Sequence, residues 1–384
     1  MSGVLPRSLR RPSWPALAWL GVLVLALVTG VVLAANGDAN NTDVRTAPAL
    51  PSEPPTPLGE ELRTLWSSDD AVDDQRIVAG STVITTTDRG VRGLDAQTGE
   101  ERWHYLRSNA TMCDFTVLEN AVVAIFRTTG RCNEAVALEA DSGVRRWYRN
   151  VDFSERLSLL GSGTAALAAT LGGIAVMDAV GNSIRWRYNP PEGCELSSIG
   201  IGSSGVVVLE RCETGTTWLA EFELYSGEQQ WRVPPPPGDI TVLGADGIVS
   251  LLVGQQLMTL SARTGETLST LTTDVGSDES AAAAFAGQPG GRGVPLVYVS
   301  GRVFAFDPST GEQLWSVAAT GLPATSDAGL VVPEPGAFVV RSPLTGQEIS
   351  RSLVSGEGPE GLLRAERFSS GLLAVTEDGI TAYG

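Results

Sequence analysis

The chain has 384 residues, a formal net charge of −17 and a hydrophobic content of 42%. The excess of acidic residues argues against nonspecific attraction to nucleic acid or to anionic lipid, because both carry negative charge themselves. Forty-four glycines, with abundant Val and Thr, favour strands and turns over helices. An acidic surface is compatible with a basic partner, but on most proteins it serves solubility.

The N-terminal region predicts a transmembrane signal anchor over residues 15–35, preceded by a cytoplasmic N-terminus over residues 1–14. The stretch PALAWLGVLVLALVTGVVLAA contains no charge and is long enough to cross a hydrocarbon core of about 30 Å. Arginines precede it and none follows closely, so the positive-inside rule places the remainder of the chain outside the cytoplasm. A signal peptide cleaved after Ala35 is the alternative, although its apolar region usually runs only about 7–15 residues.

Residues 36–60 predict a flexible linker, because NGDANNTDVRTAPALPSEPPTPL is rich in Pro, Asn and small side chains. A single repeat domain is expected over residues 61–384. In that region a short strand, a tight turn with glycine and a second strand recur about every 41 residues between Gly99 and Gly346. The turn glycines are Gly99, Gly143, Gly181, Gly227, Gly265, Gly311 and Gly346.

The segments between these turns alternate apolar and polar residues with the period of a strand and carry no helical stripe. Three strands before each turn and one after it make a four-stranded propeller blade. The final EDGITAYG, residues 377–384, matches DRGVRGLD but lacks a following strand. ELRTLWSS, residues 61–68, supplies a strand of the missing type. The sequence therefore predicts an all-β, eight-bladed propeller of antiparallel blades, in which residues 61–68 complete the blade formed by about 349–384.

A tryptophan follows most of the turns, and we expect each to dock near the preceding turn and tie one blade to the next. The docking residues are Trp66, Trp103, Trp147, Trp186, Trp231 and Trp315. All six lie at the same position in their strands, which favours a role in packing between blades over a role in a ligand-binding cage. Leu268 and Ile349 stand in place of tryptophan in two repeats, so looser contacts are expected there.

GLDAQTGEERW, ALEADSGVRRW and AFDPSTGEQLW carry the pattern strand, Asp, Thr/Ser-Gly and Trp. This pattern resembles the tryptophan-docking motif of the PQQ-dehydrogenase-like, or quinoprotein-type, β-propeller repeat family, over about residues 61–384. The resemblance implies the fold but not catalysis. The family's alcohol dehydrogenases carry a vicinal disulfide beside the cofactor and calcium ligands, whereas this chain has no adjacent cysteines. The noncatalytic, BamB-like branch is the better match.

The four cysteines predict two disulfides, Cys113–Cys132 and Cys194–Cys212. In blades two and four the members of each pair occupy the start of strand A and the region after strand B. Antiparallel pairing brings these positions together at one rim of the propeller, and an exported domain permits oxidation. Free thiols are the alternative. Metal binding is the weaker interpretation, because no CxxC motif or histidine cluster accompanies the pairs.

No catalytic, cofactor-binding or metal-binding residue is predicted, and no cofactor. His104 is the single histidine and is expected to be an exposed loop residue. GQPGGRG, residues 287–293, lacks the Lys-Ser/Thr ending of a phosphate loop, and SSDDAVDD, residues 67–74, lacks calcium-loop spacing.

These observations predict a monomeric, membrane-anchored extracytoplasmic propeller that acts as a noncatalytic scaffold for an envelope or membrane protein. The predicted recognition loops are HYLRSNAT (104–111), RYNPPEG (187–193), RVPPPPGD (232–239) and LTTDVGSDES (271–280). The alternative function is binding of PQQ or another small ligand in the central channel, as a sensor or a quinoprotein dehydrogenase.

Overall fold

The structure is a computed structural model of the chain. It describes residues 38–50, 56–69, 77–118, 120–128, 130–153, 156–273, 281–286, 293–326, 328–355 and 361–384, together with Trp19, Val22 and Leu23. The predicted cytoplasmic N-terminus and, apart from these three residues, the predicted transmembrane segment 15–35 lie outside the described residues. Among the described residues, no helix has both the length and the apolar character needed to cross a bilayer.

The N-terminal part of the described chain contributes four short elements. They are α1 (Asp38–Asn41), β1 (Thr42–Arg45), β2 (Glu61–Leu62) and β3 (Thr64–Ser68).

Eight sheets follow, each with four antiparallel strands A to D from the centre outward, and we number them as blades 1 to 8 in chain order. Blade 1 contains β4 (Val78–Ala79), β5 (Thr82–Thr87), β6 (Gly90–Asp95) and β7 (Glu101–Arg107). Blade 2 contains β8 (Thr111–Val117), β9 (Ala121–Arg127), β10 (Cys132–Glu139) and β11 (Arg145–Asn150). Blade 3 contains β12 (Ser158–Ser162), β13 (Ala165–Thr170), β14 (Gly173–Asp178) and β15 (Ser183–Tyr188). Blade 4 contains β16 (Cys194–Ile201), β17 (Val206–Cys212), β18 (Thr217–Phe222) and β19 (Gln229–Val233).

The second half repeats this arrangement. Blade 5 contains β20 (Ile240–Asp246), β21 (Ile248–Val253), β22 (Gln256–Ser261) and β23 (Thr267–Thr272). Blade 6 contains β24 (Ala281–Ala286), β25 (Val294–Val299), β26 (Arg302–Phe306) and β27 (Gln313–Ala318). Blade 7 contains β28 (Ala324–Ser326), β29 (Gly329–Glu334), β30 (Ala337–Arg341) and β31 (Glu348–Val354). Blade 8 contains β32 (Leu362–Phe368), β33 (Gly371–Thr376) and β34 (Gly379–Tyr383), and β3 is its strand D.

The ring closes where β3 pairs with β34, the last strand of the chain. Thr64 lies opposite Tyr383 and Ser68 opposite Ile380 in an antiparallel register. Arg63 and Gly384 exchange two backbone hydrogen bonds, each 3.1 Å from nitrogen to oxygen. The predicted eight-bladed, four-stranded architecture is therefore confirmed, and closure removes the open ends that would otherwise expose unpaired sheet edges.

The closing segment is shorter than predicted. Only β3 belongs to blade 8, whereas β2 pairs in parallel with β31 of blade 7, with Glu61 opposite Leu353. Strand β31, predicted within the closing blade, pairs with β30 and forms strand D of blade 7. The same N-terminal segment therefore fastens two neighbouring blades.

The core consists of seams between blades. One cluster joins blades 8, 1 and 2, and others fill the seams from blade 2 round to blade 8. Each blade has apolar side chains on both faces of its middle strands, as in the fully buried β9, AVVAIF. A sheet packed on both sides needs such continuous apolar runs rather than alternation.

Polar side chains on several A strands link neighbouring blades near the centre. Asp114 Oδ2 accepts a hydrogen bond from Leu159 N at 2.6 Å, and Ser198 Oγ accepts one from Val242 N at 2.9 Å. The buried Glu366 carboxylate accepts from Ile77 N and Val78 N across the closing seam, at 2.9 and 2.8 Å. These bonds satisfy backbone donors at the inner strands, where the neighbour is another blade.

The predicted flexible linker over residues 36–60 is wrong for the parts that the structure describes. Strand β1 pairs antiparallel with β7 and adds a fifth strand to blade 1. Thr56 N donates to Ser369 O at 2.8 Å, which holds the chain against blade 8. Backbone pairing at a free strand edge requires no apolar side chains, so the composition of the segment did not reveal that β1 pairs with β7.

Candidate protein-binding face

The propeller has two faces that differ in the loops they carry. The A–B and C–D turns lie on one face, called here the C–D face, and the D–A and B–C loops lie on the other, called the D–A face. Alternation of antiparallel strands fixes this division. All four predicted recognition loops join a strand D to the next strand A, so those that are described lie on the D–A face.

The tryptophans stack on turns at the C–D face. Each indole donates from Nε1 to a backbone carbonyl of the following blade. The sequence had predicted docking near the turn that precedes each tryptophan in the chain. The pairs are Trp66 with Ala96, Trp103 with Ala140, Trp147 with Ala179, Trp186 with Leu224, Trp231 with Ala262 and Trp315 with Pro343, at 2.7–3.0 Å.

The turn glycine lies directly against the indole of the preceding blade. A Cβ built on Gly143 would lie 2.7 Å from Trp103 Cδ2, so a side chain has no room there. Gly99, Gly227, Gly265 and Gly346 meet a tryptophan in the same way, and Gly311 meets Leu268. These glycines have φ between 67° and 74°, a conformation that glycine adopts without strain.

Gly181 is not the equivalent of these glycines. The residue with positive φ in the blade 3 turn is Asn182, with φ of 49°. The spacing from Asp178 to Asn182 equals that from Asp95 to Gly99. Asn182, and not Gly181, therefore occupies the position of the turn glycine in blade 3. Asparagine tolerates this conformation better than other side chains do.

The two repeats without tryptophan differ from each other. Leu268 packs on Gly311, and Thr259 Oγ1 donates to Gly311 O at 2.9 Å, so the seam between blades 5 and 6 remains closed. Ile349 is 56% exposed. Blade 8 has no C–D turn for Ile349 to contact, because its strand C ends near Gly384 and its strand D is β3, which begins at Thr64.

Both predicted disulfides are present on the D–A face. Cys113–Cys132 joins strand A of blade 2 to the first residue of its strand C, and Cys194–Cys212 joins the first residue of strand A of blade 4 to the last of strand B. The two bridges therefore connect different strand pairs, whereas the sequence had suggested the same positions. Each bridge ties the beginning of a blade, where a recognition loop ends, to the loop beside it.

The described loops are held at their bases by backbone hydrogen bonds. In the loop of residues 189–193, Pro191 O accepts from Cys194 N at 3.0 Å and Gly193 O accepts from Glu213 N at 2.8 Å. In the loop of residues 234–239, Asp239 O accepts from Gly254 N at 3.0 Å. The bonds from Glu213 and Gly254 come from the B–C turn of the next blade, so the two proline-rich loops are fixed relative to their neighbours.

The predicted loops are shorter than their quoted segments. Residues 104–107 belong to β7, 187–188 to β15, 232–233 to β19 and 271–272 to β23. Residues 274–280 lie outside the described residues, as do most of GQPGGRG and of SSDDAVDD.

A buried carboxylate supports the two proline-rich loops. Glu210 accepts a short hydrogen bond from the Tyr188 hydroxyl and one from Arg232 Nη2 at 2.7 Å. Tyr188 and Arg232 each lie one or two residues before a loop, and the Arg232 guanidinium stacks 4.6 Å from the Trp218 ring centroid. Burial and the neighbouring Glu210 raise the pKa of Tyr188, so the hydroxyl remains a donor at neutral pH.

His104 is not an exposed loop residue. It lies in β7 with 15% of its side chain exposed, and its Nδ1 is 2.7 Å from Glu101 Oε1. Its Nε2 lies 3.3 Å from Asp43 Oδ1 of β1. Burial lowers the pKa of His104, but the carboxylates of Glu101 and Asp43 outweigh it, so the pKa lies above the ordinary value. The sequence missed this because it did not place β1 over β7.

Glu221 is a second titratable group that the sequence did not single out. It lies in β18, 1% exposed, in the seam between blades 4 and 5. Burial raises its pKa to about 7. Glu221 interrupts the apolar run WLAEF, which was the available signal, but only the seam between the blades shows that its carboxylate is buried.

A cavity of about 360 Å³ opens between blades 7 and 8. Its lining includes Phe338, Val354 and Leu362, with Glu334 as the charged member. Glu334 is engaged by Arg341 and Arg351 at 2.5 and 3.1 Å, so its charge is already neutralised within the protein.

The family model described as outer membrane protein assembly factor BamB matches residues 61–169 and 172–343. No curated protein matches the chain. Among solved structures, the computationally designed Ika8 protein has a TM-score of 0.58 at 17% identity, over 85% of this chain and 99% of that one. The C-terminal WD40 domain of Sif2 has a TM-score of 0.53 at 10% identity, over 85% and 98%.

BamB from Moraxella catarrhalis is 19% identical over 84% of this chain and 99% of that one, with a TM-score of 0.47. The likeness to the designed protein and to the WD40 domain concerns the propeller fold alone, because their sequence identities to this chain are only 17% and 10%. The family match covers most of the chain and extends from the closing strand to strand C of blade 7. The chain therefore belongs to the BamB-type family of PQQ-like β-propeller repeat proteins.

Proposed function

We propose that this protein is a membrane-anchored, extracytoplasmic scaffold that binds an envelope or membrane protein through its D–A face, without catalysing a reaction. Membership in a family described by an assembly factor supports protein binding in general. The anchor and the location outside the cytoplasm rest on the apolar segment 15–35 and its flanking charges. The two disulfides fit an oxidising compartment.

The observation that carries the proposal is the rigidity of the D–A face. The loops of residues 189–193 and 234–239 are proline-rich, fixed to B–C turns and supported by the Cys194–Cys212 bridge. A loop that is ordered before binding loses little conformational entropy on contact, which favours recognition. Exposed ends of these loops, such as Glu192 and Asp239, are free to meet a partner.

The proposal is tested by reversing charges on one face at a time. The triple variant Glu192→Arg, Glu213→Arg and Asp239→Arg alters the D–A face at blades 3 to 5. All three residues are exposed, so folding should be retained. Cross-linking in intact cells, followed by mass spectrometry, identifies the captured partner. We expect capture by this variant to fall at least about tenfold, as for changes at the centre of an interface.

The matched control reverses the same number of charges on the C–D face, with Glu100→Arg, Glu228→Arg and Glu312→Arg. All three residues are exposed and lie in C–D turns. Capture should remain close to that of the unmodified protein. Equal loss in both variants would point to net charge rather than to the D–A face, and loss in the control alone would reverse the assignment.

The alternative function is tested with the same purified protein. We expect addition of PQQ and calcium to produce no bound quinone absorbance after gel filtration. Stoichiometric retention of PQQ would instead establish a ligand-binding propeller and would contradict the scaffold proposal.

A further inference from the structure

The N-terminal segment that was expected to be a spacer is attached to blade 1 along residues 41–50. Ser108 N donates to Asn41 O at 2.8 Å, and β1 then pairs with β7 over four residues, from Thr42 opposite Arg107 to Arg45 opposite His104. Beyond the strand, Ala47 N donates to Ser142 O of blade 2 at 2.9 Å. We call residues 38–50 the strut.

Side-chain contacts also hold the strut, in addition to the backbone hydrogen bonds. Arg102 donates from Nη2 to Pro48 O at 2.5 Å and from Nη1 to Asp141 O at 2.8 Å, so one guanidinium joins the strut to blade 2. His104 lies between Glu101 and Asp43, and Arg45 lies 3.9 Å from Glu101. Leu50 reaches a cavity beside Phe368 of blade 8. The strut thus contacts blades 1 and 2 and lines a cavity together with blade 8.

The attachment leaves little free chain before it. The apolar segment ends at Ala35, and α1 begins at Asp38. Three peptide links span at most about 11 Å when fully extended. If the apolar segment is an anchor, blade 1 cannot move far from the membrane, because only residues 36 and 37 separate that segment from the strut.

The direction of β1 decides which corner of blade 1 is near the membrane. Because β1 is antiparallel to β7, its first residue lies beside the last residue of strand D, at the D–A loop. The chain therefore arrives at the D–A face and runs towards the C–D turn of blade 2. Blade 5 lies across the ring of eight and is farthest from this entry point.

We propose that the strut holds the D–A corner of blade 1 at the membrane surface, so that blade 1 presents the D–A face to a protein embedded in the same membrane. This inference rests on the proposed anchor. A net charge of −17 opposes adhesion to anionic lipid, which favours a protein over lipid as the partner at this corner.

The orientation is tested with the full chain in phosphatidylcholine vesicles that contain lipids spin-labelled at the headgroup. A fluorophore is attached to one introduced cysteine at a time: Asp88→Cys at the D–A face of blade 1, Gln256→Cys at the same face of blade 5, or Glu100→Cys at the C–D face of blade 1. All three residues are exposed. We expect quenching at Asp88→Cys to exceed that at either control at least about twofold, given the tether length.

A spacer variant provides the second measurement. Ten Gly-Ser residues inserted between Gly37 and Asp38 add roughly 17 Å of root-mean-square reach and leave the strut itself unchanged. We expect the quenching at Asp88→Cys to fall to the level of the controls while the protein remains bound to the vesicles. In cells, a photocrosslinker at position 88 should capture an integral membrane protein, with at least about threefold lower yield in the spacer variant.

The outcomes separate the inference from the proposed function. A chain that is not recovered with vesicles overturns the anchor and with it the proposed location. A chain that is recovered, but with equal quenching at the three positions or no effect of the spacer, overturns the orientation alone. Capture of lipid alone by the photocrosslinker overturns the choice of partner.

Discussion

Two buried titratable residues, Glu221 and His104, make the propeller respond to pH in opposite parts of the ring. Glu221 lies in the seam between blades 4 and 5, and His104 lies under the strut. Their charges bear on the stability of the propeller and on the attachment of the strut.

Glu221→Gln should stabilise the protein at neutral pH. The pKa of Glu221 is raised to about 7, above that of an exposed glutamate. The unfolded chain therefore ionises first as pH rises, and the native protein loses stability between about pH 4.3 and 7. The amide is neutral at every pH, so urea unfolding should show equal stability near pH 4 and a gain on the order of 2 kcal/mol for the variant at pH 8.

The control for this prediction is Glu228→Gln, an exposed residue in the next turn of the same blade. It should leave the pH profile unchanged. A parallel shift of the Glu221→Gln curve at all pH values would show that packing, not ionisation, is responsible.

His104 should tie the strut to blade 1 more strongly in acid. The pKa of His104 is raised in the folded protein, so its protonated form is favoured there. The contribution is complete below the ordinary pKa of histidine, about 6.5, and is lost as pH rises through the higher folded value. Hydrogen exchange of the β1 amides, corrected for intrinsic rates, should show less protection at pH 8 than at pH 6. The difference should disappear in His104→Gln.

At the scale of strands and turns, the repeated motif was readable because each of its residues performs one task in every blade. The Asp, the glycine and the tryptophan recur at fixed spacing, and that spacing revealed the docking between blades. The spacing misassigned the turn of blade 3, where an asparagine and not Gly181 adopts the conformation of the turn glycine. The spacing also could not show which neighbouring blade each tryptophan contacts. Chain direction around the ring is a property of the assembled fold.

A docked tryptophan should contribute more to the free energy of unfolding than Ile349, which stands in place of tryptophan in blade 7. Trp103 is fully buried and Ile349 is 56% exposed. Trp103→Ala should therefore cost about 3–5 kcal/mol in the free energy of unfolding, and Ile349→Ala no more than about 0.5 kcal/mol. Thermal and urea unfolding of the two variants measure the difference. Comparable losses would mean that Ile349 contributes through a contact that its exposure does not reveal.

The disulfides brace the D–A face at the same scale. In the chain-entropy model a bridge over a loop of this size contributes about 3 kcal/mol. Replacing Cys194 and Cys212 together by serine should lower the free energy of unfolding by about that amount and increase exchange of the Glu213 amide, which donates to Gly193 O of the loop. The Cys113 and Cys132 double variant should lower stability similarly but leave this amide protected. Unchanged protection in the first variant would show that the backbone bonds suffice.

For the whole molecule, the eight-bladed ring could be predicted because residues 377–384 end on a strand whose partner is missing, and residues 61–68 supply it. The strut could not be predicted in this way. Thr42–Arg45 carries one apolar residue, Val44, and binds blade 1 through its backbone, a contact that leaves no hydrophobic period in the sequence. The D–A face was found from loop composition, but the bonds that make it rigid depend on neighbouring blades.

Ring closure underlies the two faces, the strut and the proposed orientation, and one cross-link tests it directly. Ser67 lies opposite Thr381 in the register of β3 and β34. Cysteines at these two positions should form a disulfide in the purified protein under oxidising conditions, detected by mass spectrometry after digestion without reductant. The control pair, Ser67→Cys with Thr376→Cys, should not cross-link. Failure of the first pair, or equal cross-linking of both, would contradict closure of the eighth blade by the N-terminal strand.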